Sequence, residues 1–255
     1  KNSSKLLALG VITAVAGISK GFGQNISGAI SGAVQQLKEP TVPEFNPKTV
    51  SLDISTKDEF ALMAAVGEDN LEALKAILTH PEVDINAKYW RGGTALIEAS
   101  LYGNTEVVKA LLNHHELDIN AKGNGGVTAL MRAAADGKTE VVKLILNDGR
   151  CNAEIIRAKD QVGVTALMRA AEEGNTEVVK LILGHKECNA EIISATNDMG
   201  LTALMAAAAR EKKDIVKALL EHKDKDGNYS VSDKDAREAE ERVEENPELA
   251  KMIGD

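Results

Sequence analysis

The strongest constraint in this sequence is a stretch of twenty residues that occurs twice almost unchanged. Residues 127–146 read VTALMRAAADGKTEVVKLIL, and residues 164–183 read VTALMRAAEEGNTEVVKLIL. The pairs that differ are Ala135 and Glu172, Asp136 and Glu173, and Lys138 and Asn175. A segment that recurs at a fixed period buries its apolar face against its neighbours, so this duplication predicts a stacked, elongated fold.

Three further copies of the pattern extend it in both directions. One begins at Thr94 with TALIEASLYGNTEVVKALL, another begins at Thr202 with TALMAAAAREKKDIVKALL, and a degenerate copy, FALMAAVGEDNLEALKAIL, begins at Phe60. Successive copies start 34, 34, 37 and 37 residues apart. The spacing predicts five units over residues 55–225. Their predicted bounds are 55–88, 89–122, 123–159, 160–196 and 197–225.

Each unit contains the signals of two short helices and a connecting arm. Thr128 is a helix N-cap residue ahead of an Ala-rich turn, and Gly137 can adopt the positive φ that ends a helix. Thr139, as the expected cap, and Glu140, as a first-turn acid, then favour the start of a second helix, whose apolar residues recur at helical spacing. The polar connector at 116–126 predicts a short extended arm. In the third and fourth units, CNAEIIRA and CNAEIISA add three residues, which predicts two lengthened or bulged arms.

The order and spacing of these segments resemble the ankyrin repeat. The resemblance rests on three motifs, T-A-L-[MI], A-x-x-G-[NK]-T-E-V-V-K and D-I-N-A-K, and covers about two-thirds of the chain. It implies an all-α solenoid of about five helix-turn-helix repeats, whose concave side binds a protein partner. In these copies Ala stands where the family usually has proline, and Met or Ile stands where it usually has histidine. We therefore expect apolar packing to hold the repeats together.

Composition and charge narrow the function further. The chain has 255 residues and a net charge of −9, which argues against nucleic acid as a partner. The sequence holds no glycine-rich phosphate loop, nucleophile elbow or Cys/His pairing, so it predicts neither an enzyme nor a required cofactor. Cys151 and Cys188 are equivalent residues of adjacent repeats. Stacked elements lie too far apart for a disulfide, so we expect two free thiols.

Two side-chain types recur at fixed places in the second helices. His80, His114, His185 and His222 each lie 20 residues after the residue that opens their repeat, where a partly positive imidazole suits the negative end of the helix dipole. Five lysines each follow an acidic residue by three positions, which predicts surface ion pairs. The predicted pairs are Glu72–Lys75, Glu106–Lys109, Glu140–Lys143, Glu177–Lys180 and Asp214–Lys217. Both columns indicate a structural role.

The N-terminal residues 1–38 differ in composition from the repeats. Two lysines precede LLALGVITAVAGI, an uncharged run of 13 residues, and the small residues at 14–16 are typical of a signal-peptide cleavage site. This pattern favours a leader that directs export to the periplasm or the exterior. The alternatives are a retained hydrophobic helix, packed in a complex or associated with a membrane, and a disordered leader. Residues 39–54 are expected to form a Pro-rich linker.

After the last repeat, DKDGNYSVSDKD at 224–235 resembles the calcium loop of an EF-hand. The resemblance implies weak calcium binding by oxygen ligands, although Tyr229 and Asp235 replace the usual Gly and Glu. The alternative is an acidic turn between two helices. The candidate ligands are Asp224, Asp226, Asn228, Ser232 and Asp235. Residues 226–255 as a whole predict an acidic helical extension.

The family pattern, carried over position by position, implies a partner-binding strip along the arm tips and the ends of the first helices. Its centre in the second repeat would hold Trp90 and Arg91 at an arm tip, with Leu101 and Tyr102 just before the turn. Aromatic residues and Arg dominate many interfaces because they bury a large area with little ordering cost. The strip would continue through Lys122, Asn124, Asp136, Gln161, Val162, Glu172, Glu173, Met199 and Arg210.

Together these features predict a non-catalytic module that binds a protein. Two other functions stay open. One is a structural subunit of a larger assembly, in contact with a membrane or with other chains through residues 1–38. The other is a calcium-responsive binding module. The protein would be exported if the leader is cleaved, and otherwise membrane-associated or part of a complex.

Overall fold

The computed structural model describes residues 59–89, 92–223, 227–228 and 230–241, and over this part the chain forms a stack of helix pairs. The predicted all-α solenoid of five repeats is confirmed. The first helices are Glu59–Gly67, Ala95–Tyr102, Ala129–Ala135, Ala166–Glu173 and Ala203–Ala209. The second helices are Leu71–Ile77, Thr105–Leu112, Thr139–Asn147, Thr176–Leu183 and Lys213–Leu220. The predicted leader at 1–38 and linker at 39–54 lie outside the described residues.

The core is one continuous layer that runs through all five repeats. First helices pack on first helices of adjacent repeats, and second helices pack on second helices. Each first helix buries a leucine at the same position, and burial of such a side chain contributes about 1.5–3 kcal/mol. These leucines are Leu62, Leu96, Leu130, Leu167 and Leu204, each no more than 2% exposed. Fully buried alanines between them allow the helices to approach closely, as expected from the sequence.

Threonine starts four of the first helices, as the sequence predicts. Thr94, Thr128, Thr165 and Thr202 each accept a hydrogen bond through Oγ1 from the backbone N–H three residues further on, at 3.3–3.4 Å. This contact satisfies one of the N–H groups that a helix start leaves unpaired. The expected cap at Thr139 is wrong. Thr139 is the first residue of its helix, and its hydroxyl donates to Gly137 O at 3.3 Å.

The turn between the two helices of a repeat requires a residue with positive φ. Gly103, Gly137 and Gly174 fill this position in the three central repeats, with φ of 80°, 62° and 86°. In the first and fifth repeats, Asp69 and Glu211 stand at the equivalent position, each with a φ of 55°. Residues with a side chain are strained in this conformation. The terminal repeats therefore keep the geometry of the turn without the residue that suits it best.

The three-residue insertions form helices instead of bulges. Ala153–Ile156 and Ala190–Ile193 are single helical turns, capped by the side chains of Asn152 and Asn189. Ile156 and Ile193 are buried, so each insertion adds to the core. The expectation of lengthened or bulged arms is therefore corrected: the added residues lie in a third, one-turn helix of the repeat.

The C-terminal extension begins as a further unit of the stack. The helix Asp233–Glu241 packs against Ala203–Ala209, as the first helix of a sixth repeat would. Ala239 is fully buried in this contact, while most other side chains of the helix are charged. A terminal unit with one apolar face and one polar face is how solenoids end their cores. The helix therefore caps the stack. None of the described helices is long and apolar enough to cross a bilayer.

Candidate functional site

The arms of the repeats form a connected row beside the first helices. Each described arm is closed at its base by a backbone hydrogen bond, as between Asp160 N–H and Val164 O at 3.0 Å. Adjacent arms are joined by further backbone bonds, such as that from Gln161 N–H to Gly125 O at 2.7 Å. Because backbone groups hold the row together, the side chains at the arm tips need no part in it and can face solvent.

A groove of about 690 Å³ lies between the arms and the first helices of the fourth and fifth repeats. Four of the predicted partner residues line it: Val162, Glu172, Met199 and Arg210. The sequence interpretation missed the apolar part of its lining, which includes Val164, Met168, Leu201, Met205, Ala206 and Ala209. The methionines follow the Thr cap by three residues, where the family usually has histidine. The substitution of methionine for histidine is visible in the sequence, where it predicts apolar packing between repeats but not an apolar groove.

The exposed apolar side chains of the described residues all belong to the predicted strip. Met199 is 78% exposed, Val162 is 55% exposed and Tyr102 is 53% exposed, and no other large apolar side chain in the described part of the chain is exposed. Met199 and Val162 border the groove. Tyr102 lies in the second repeat, roughly 20–30 Å away at the usual helix spacing. Two of these exposed apolar side chains therefore lie at the groove, and the third lies in the second repeat, where the centre of the strip is predicted.

An ion pair spans the fourth and fifth repeats at the groove. Arg210 Nη2 donates to Glu172 Oε1 at 2.9 Å. This hydrogen bond, with the charge of Glu172, raises the pKa of Arg210. Exposed pairs of this kind contribute little to stability, at most about 1 kcal/mol. The pair instead fixes two long side chains along one edge of the groove, so that the apolar lining stays open.

A second, buried ion pair fixes the arm of the fourth repeat. The side chain of Asp160 is 3% exposed and accepts hydrogen bonds from Arg169 Nη2 at 2.8 Å, Val164 N–H at 2.8 Å and Val162 N–H at 3.0 Å. Burial alone raises the pKa of Asp160, but these hydrogen bonds outweigh burial and hold the pKa below its ordinary value. The arm tip that carries Val162 is therefore held rigidly beside the groove.

The other predicted strip residues occupy varied environments. Asn124, Asp136, Gln161 and Glu173 are exposed, and Leu101 is half-buried. Lys122 belongs to the scaffold, because its Nζ donates to Lys159 O in the next arm at 3.0 Å. Trp90 and Arg91 lie outside the described residues, so their role stays a prediction.

The opposite side of the stack carries contacts that the sequence interpretation described incompletely. His185 Nε2 donates to Leu146 O at 3.0 Å, and His222 Nε2 donates to Leu183 O at 3.1 Å. Each contact joins a repeat to the preceding one. His185 Nδ1 also accepts from the backbone N–H of Glu187 at 3.2 Å. These histidines therefore have the structural role that the sequence indicates, and directional hydrogen bonds between repeats are the part of it that the sequence interpretation lacked.

The third repeat has no histidine at this position and uses an arginine instead. Asp148 stands there, and Arg150 Nη2 donates to Asp148 at 2.8 Å and to Leu112 O in the second repeat at 2.6 Å. Arg150 Nη1 donates to His114 O at 3.2 Å and Leu117 O at 3.1 Å. The hydrogen bond from Arg150 is the main cause that lowers the pKa of Asp148. Arg150 lies two residues after the position that holds histidine in the other repeats, which explains why the column of histidines in the sequence did not reveal it.

Four of the five predicted ion pairs on the second helices are confirmed. The Nζ–Oε1 distances are 3.4 Å for Lys75–Glu72, 2.6 Å for Lys109–Glu106, 2.6 Å for Lys143–Glu140 and 2.9 Å for Lys180–Glu177. The fifth prediction, Asp214–Lys217, is wrong, because Lys217 Nζ lies 3.8 Å from Glu221 Oε1 instead. Glutamate at i+4 reaches the ammonium where the shorter aspartate does not.

The two cysteines and the side chains that commonly bind metals show no metal-binding cluster within the described residues. Cys151 and Cys188 are free thiols, as predicted, and burial raises the pKa of each to about 11. Such thiols are poor nucleophiles at neutral pH. Within the described part of the chain, no three His, Cys, Asp or Glu side chains are arranged to hold a metal ion.

The calcium prediction falls partly outside the described residues, which exclude Asp224 and Asp226. Ser232 and Asp235 are described and contact each other: Ser232 Oγ donates to Asp235 Oδ2 at 2.8 Å and accepts from Asp235 N–H at 3.1 Å. Ser232 is therefore the N-cap residue of the helix Asp233–Glu241. Both side chains thus have a structural role at a helix start, and calcium binding stays a prediction.

The fold and repeat geometry agree with the comparison with known families. A family model described as ankyrin repeats (3 copies) matches residues 29–123, 62–157 and 130–235. The third match ends at Asp235, within the helix Asp233–Glu241 that packs on the fifth repeat. A comparison with curated proteins found no match. The overlapping matches cover most of the chain, which therefore belongs to the ankyrin-repeat family.

Proposed function

We propose that this protein binds a protein partner through the groove of the fourth and fifth repeats, with the strip toward Tyr102 as an extension of the interface. The observation that carries the proposal is the placement of the exposed apolar side chains. Met199 and Val162 border a groove lined by further apolar residues, and Tyr102 in the second repeat is the one other large apolar side chain found exposed among the described residues. Apolar surface that a fold leaves open beside a concave pocket is typical of a binding site.

The chemistry of the groove favours an apolar segment of a protein over a small polar ligand. Methionine side chains are flexible and polarizable, so the exposed Met199 can adjust to the shape of an apolar side chain, while the buried Met168 and Met205 form the apolar base of the groove. The Glu172–Arg210 pair on the edge offers hydrogen-bond partners to a polypeptide backbone. Ankyrin repeats are generally protein-interaction modules, which agrees with this assignment.

The proposal can be tested by placing charges in the groove. In Val162→Asp with Met199→Asp, two carboxylates replace the apolar rim. A control with the same added charge, Asn113→Asp with Asn147→Asp, changes exposed residues at the ends of second helices. Proteins captured by the wild-type chain from its native extract are quantified by mass spectrometry against both variants, and the dissociation constant of each selected partner is then measured.

We expect a partner that binds the wild type and the control alike but binds the groove variant at least ~30-fold more weakly, as for interface hot spots. Unchanged melting temperatures would show that both variants are folded. Partners that bind all three proteins with equal affinity would contradict the proposal.

The finer alternatives rest on residues outside the described ranges. A structural subunit anchored by residues 1–38, an exported protein and a calcium-responsive module all stay predictions. Determination of the N-terminal residue of the mature protein would separate export from a retained segment, and calorimetry with millimolar calcium would test the loop at 224–235.

A further inference from the structure

We infer that Arg132 binds a carboxylate of the partner, and that this contact sets the charge pattern of the segment that the groove accepts. The inference rests on the proposed function and adds the chemistry of the partner to it. Arg132 lies four residues after the Thr cap of the third repeat, on the first helix. The residues at the same position in the second to fifth repeats are Glu98, Arg132, Arg169 and Ala206.

The fourth repeat shows what an arginine at this position does when a carboxylate is at hand. Arg169 donates to Asp160, which lies five residues before the Thr cap, and the two form the buried pair described above. The charge of Arg169 is therefore neutralised within its own repeat. A partner that reaches this position meets an ion pair that is already complete.

The third repeat has the arginine but not the carboxylate. Gly123 stands at the position equivalent to Asp160. A Cβ atom at Gly123 would lie 2.9 Å from Gly92 O, closer than real Cβ atoms come, and 3.0 Å from Ile97 Cδ1. The packing between the second and third repeats therefore disfavours a side chain there, because the backbone at Gly92 would have to shift. The repeat cannot supply its own partner for Arg132 from the place where the next repeat does.

No other described residue replaces the missing carboxylate. Arg132 Nε is buried without a hydrogen-bond partner, and none of the ion pairs in the described part of the chain includes Arg132. Neither Glu98 nor Asp136 forms an ion pair with Arg132 among the described residues. Arg132 as a whole is half-buried, so its guanidinium charge is not balanced within the described part of the chain, and a carboxylate is the group that pairs most strongly with such a charge.

The position of Arg132 defines where the acidic residue of the partner lies. Arg132 is one repeat away from Arg169, which lines the groove, and adjacent first helices lie about 8–10 Å apart. An extended polypeptide covers this distance in roughly three residues. We therefore expect the partner segment to carry Asp or Glu about three residues from the apolar side chain that fills the groove.

The test uses a random twelve-residue peptide library displayed on phage and panned against the full chain. The same library is panned against Arg132→Met, which keeps an unbranched apolar stem but not the charge or the donors. The matched control, Arg157→Met, removes an exposed arginine that pairs with Glu191 at 3.4 Å, beside a one-turn helix. Arg132→Lys, which keeps the charge, guards against a loss that merely reflects altered packing, and thermal melts check the folding of each variant.

We expect peptides selected on the wild type and on Arg157→Met to combine apolar residues with Asp or Glu at the stated spacing. On Arg132→Met the apolar preference persists and the acidic preference disappears, while Arg132→Lys retains part of it. A synthetic peptide of the selected sequence should lose about tenfold in affinity for the wild type when its acidic residue becomes Gln or Asn, and almost nothing for Arg132→Met.

Two results would overturn the inference, and a third concerns the proposed function. An acidic preference that survives in Arg132→Met shows that another residue binds the carboxylate. Selected peptides without any preference for Asp or Glu show that the groove binds apolar side chains only. Peptides that bind the Val162→Asp/Met199→Asp variant as well as the wild type contradict the groove itself, and with it the proposed function.

Discussion

The third and fourth repeats share seventeen of the twenty residues in their central segment, yet they contact the preceding repeat in different ways. The fourth repeat uses His185 and Asn175, whose Nδ2 donates to Ala134 O at 2.8 Å and Ala135 O at 2.9 Å. The third repeat uses Arg150, and it has Lys138 at the position of Asn175.

The comparison shows that the fold of a repeat and its coupling to a neighbour depend on separate residues. The shared residues build the helices and the core, which are the same in both copies. Lys138 and Asn175 occupy the same position of their repeats, at the boundary with the preceding repeat. Asp136 and Glu173 also occupy equivalent positions, but these are exposed at the end of the first helix. Sequence identity within a repeat therefore says little about how firmly it is held.

The largest expected effect should be the same in both repeats. Leu130→Ala and Leu167→Ala each remove a side chain that is at most 1% exposed, so each should lower the free energy of unfolding by about 2–5 kcal/mol. Urea unfolding followed by circular dichroism measures both. Losses that differ by more than about 2 kcal/mol would show that the two cores are not equivalent despite their sequence.

Removal of Arg150 should separate the two repeats. Arg150→Met leaves the carbonyls of Leu112, His114 and Leu117 without this donor, so we expect a loss of about 2–3 kcal/mol in the free energy of unfolding. The equivalent change, His185→Leu, removes a single contact to the preceding repeat and should cost about 1 kcal/mol. If urea unfolding ranks them in reverse order, the histidine is the stronger connection.

The buried Asp160 should make the stability of the fourth repeat depend on pH. Its folded-state pKa is lowered, so its stabilisation is present above the ordinary carboxyl value of 3.8 and is lost as the pH falls through the lower folded-state value. Asp160→Asn should therefore cost about 1–3 kcal/mol at pH 7 and progressively less toward pH 3. Urea unfolding across this range measures the difference between variant and wild type. Asp198→Asn, at an exposed neighbouring site, serves as the control, and a cost independent of pH would refute the assignment.

The smallest effect concerns the boundary position itself. Asn175→Ala removes two hydrogen bonds to the third repeat and should cost about 1 kcal/mol, whereas Lys138→Ala should cost only a few tenths. The two variants can be compared by thermal unfolding at one protein concentration. Equal losses would mean that the stem of Lys138, which packs over Gly103, holds the boundary as well as the asparagine does.

Much of the fold could be predicted because its determinants are local. The Thr caps of the first helices, the positive-φ glycines of the central repeats and the apolar spacing each act within about ten residues, and these are confirmed. The exposed residues Tyr102, Val162 and Met199 were also found from the sequence, because the repeat fixes which positions face outward. Ala153–Ile156 was missed although its signal was present: Asn152 caps it and Ile155 and Ile156 are apolar.

Other features depend on contacts between repeats and could not be read from one repeat at a time. Arg150 reaches a carbonyl 38 residues away, and Asp160 and Arg169 meet across an arm. The capping helix shares little sequence with the other first helices, so the EF-hand resemblance of 224–235 was more visible than its place in the stack. Arg132 and Arg169 lie in nearly identical sequences, so the missing carboxylate beside Arg132 is recognised only when its repeat is compared with the next one.

Three side-chain hydrogen bonds to carbonyls at the ends of the second helices run from a later repeat to an earlier one. The donors are Arg150, His185 and His222, and the acceptors are the carbonyls of Leu112, Leu146 and Leu183. A ribosome makes the acceptors first. The second, third and fourth repeats therefore leave the exit tunnel with these carbonyls still bound to water. The hydrogen bond that replaces this water forms only after the next repeat has emerged. Pauses in translation between repeats would leave that end of the nascent stack exposed for as long as they last.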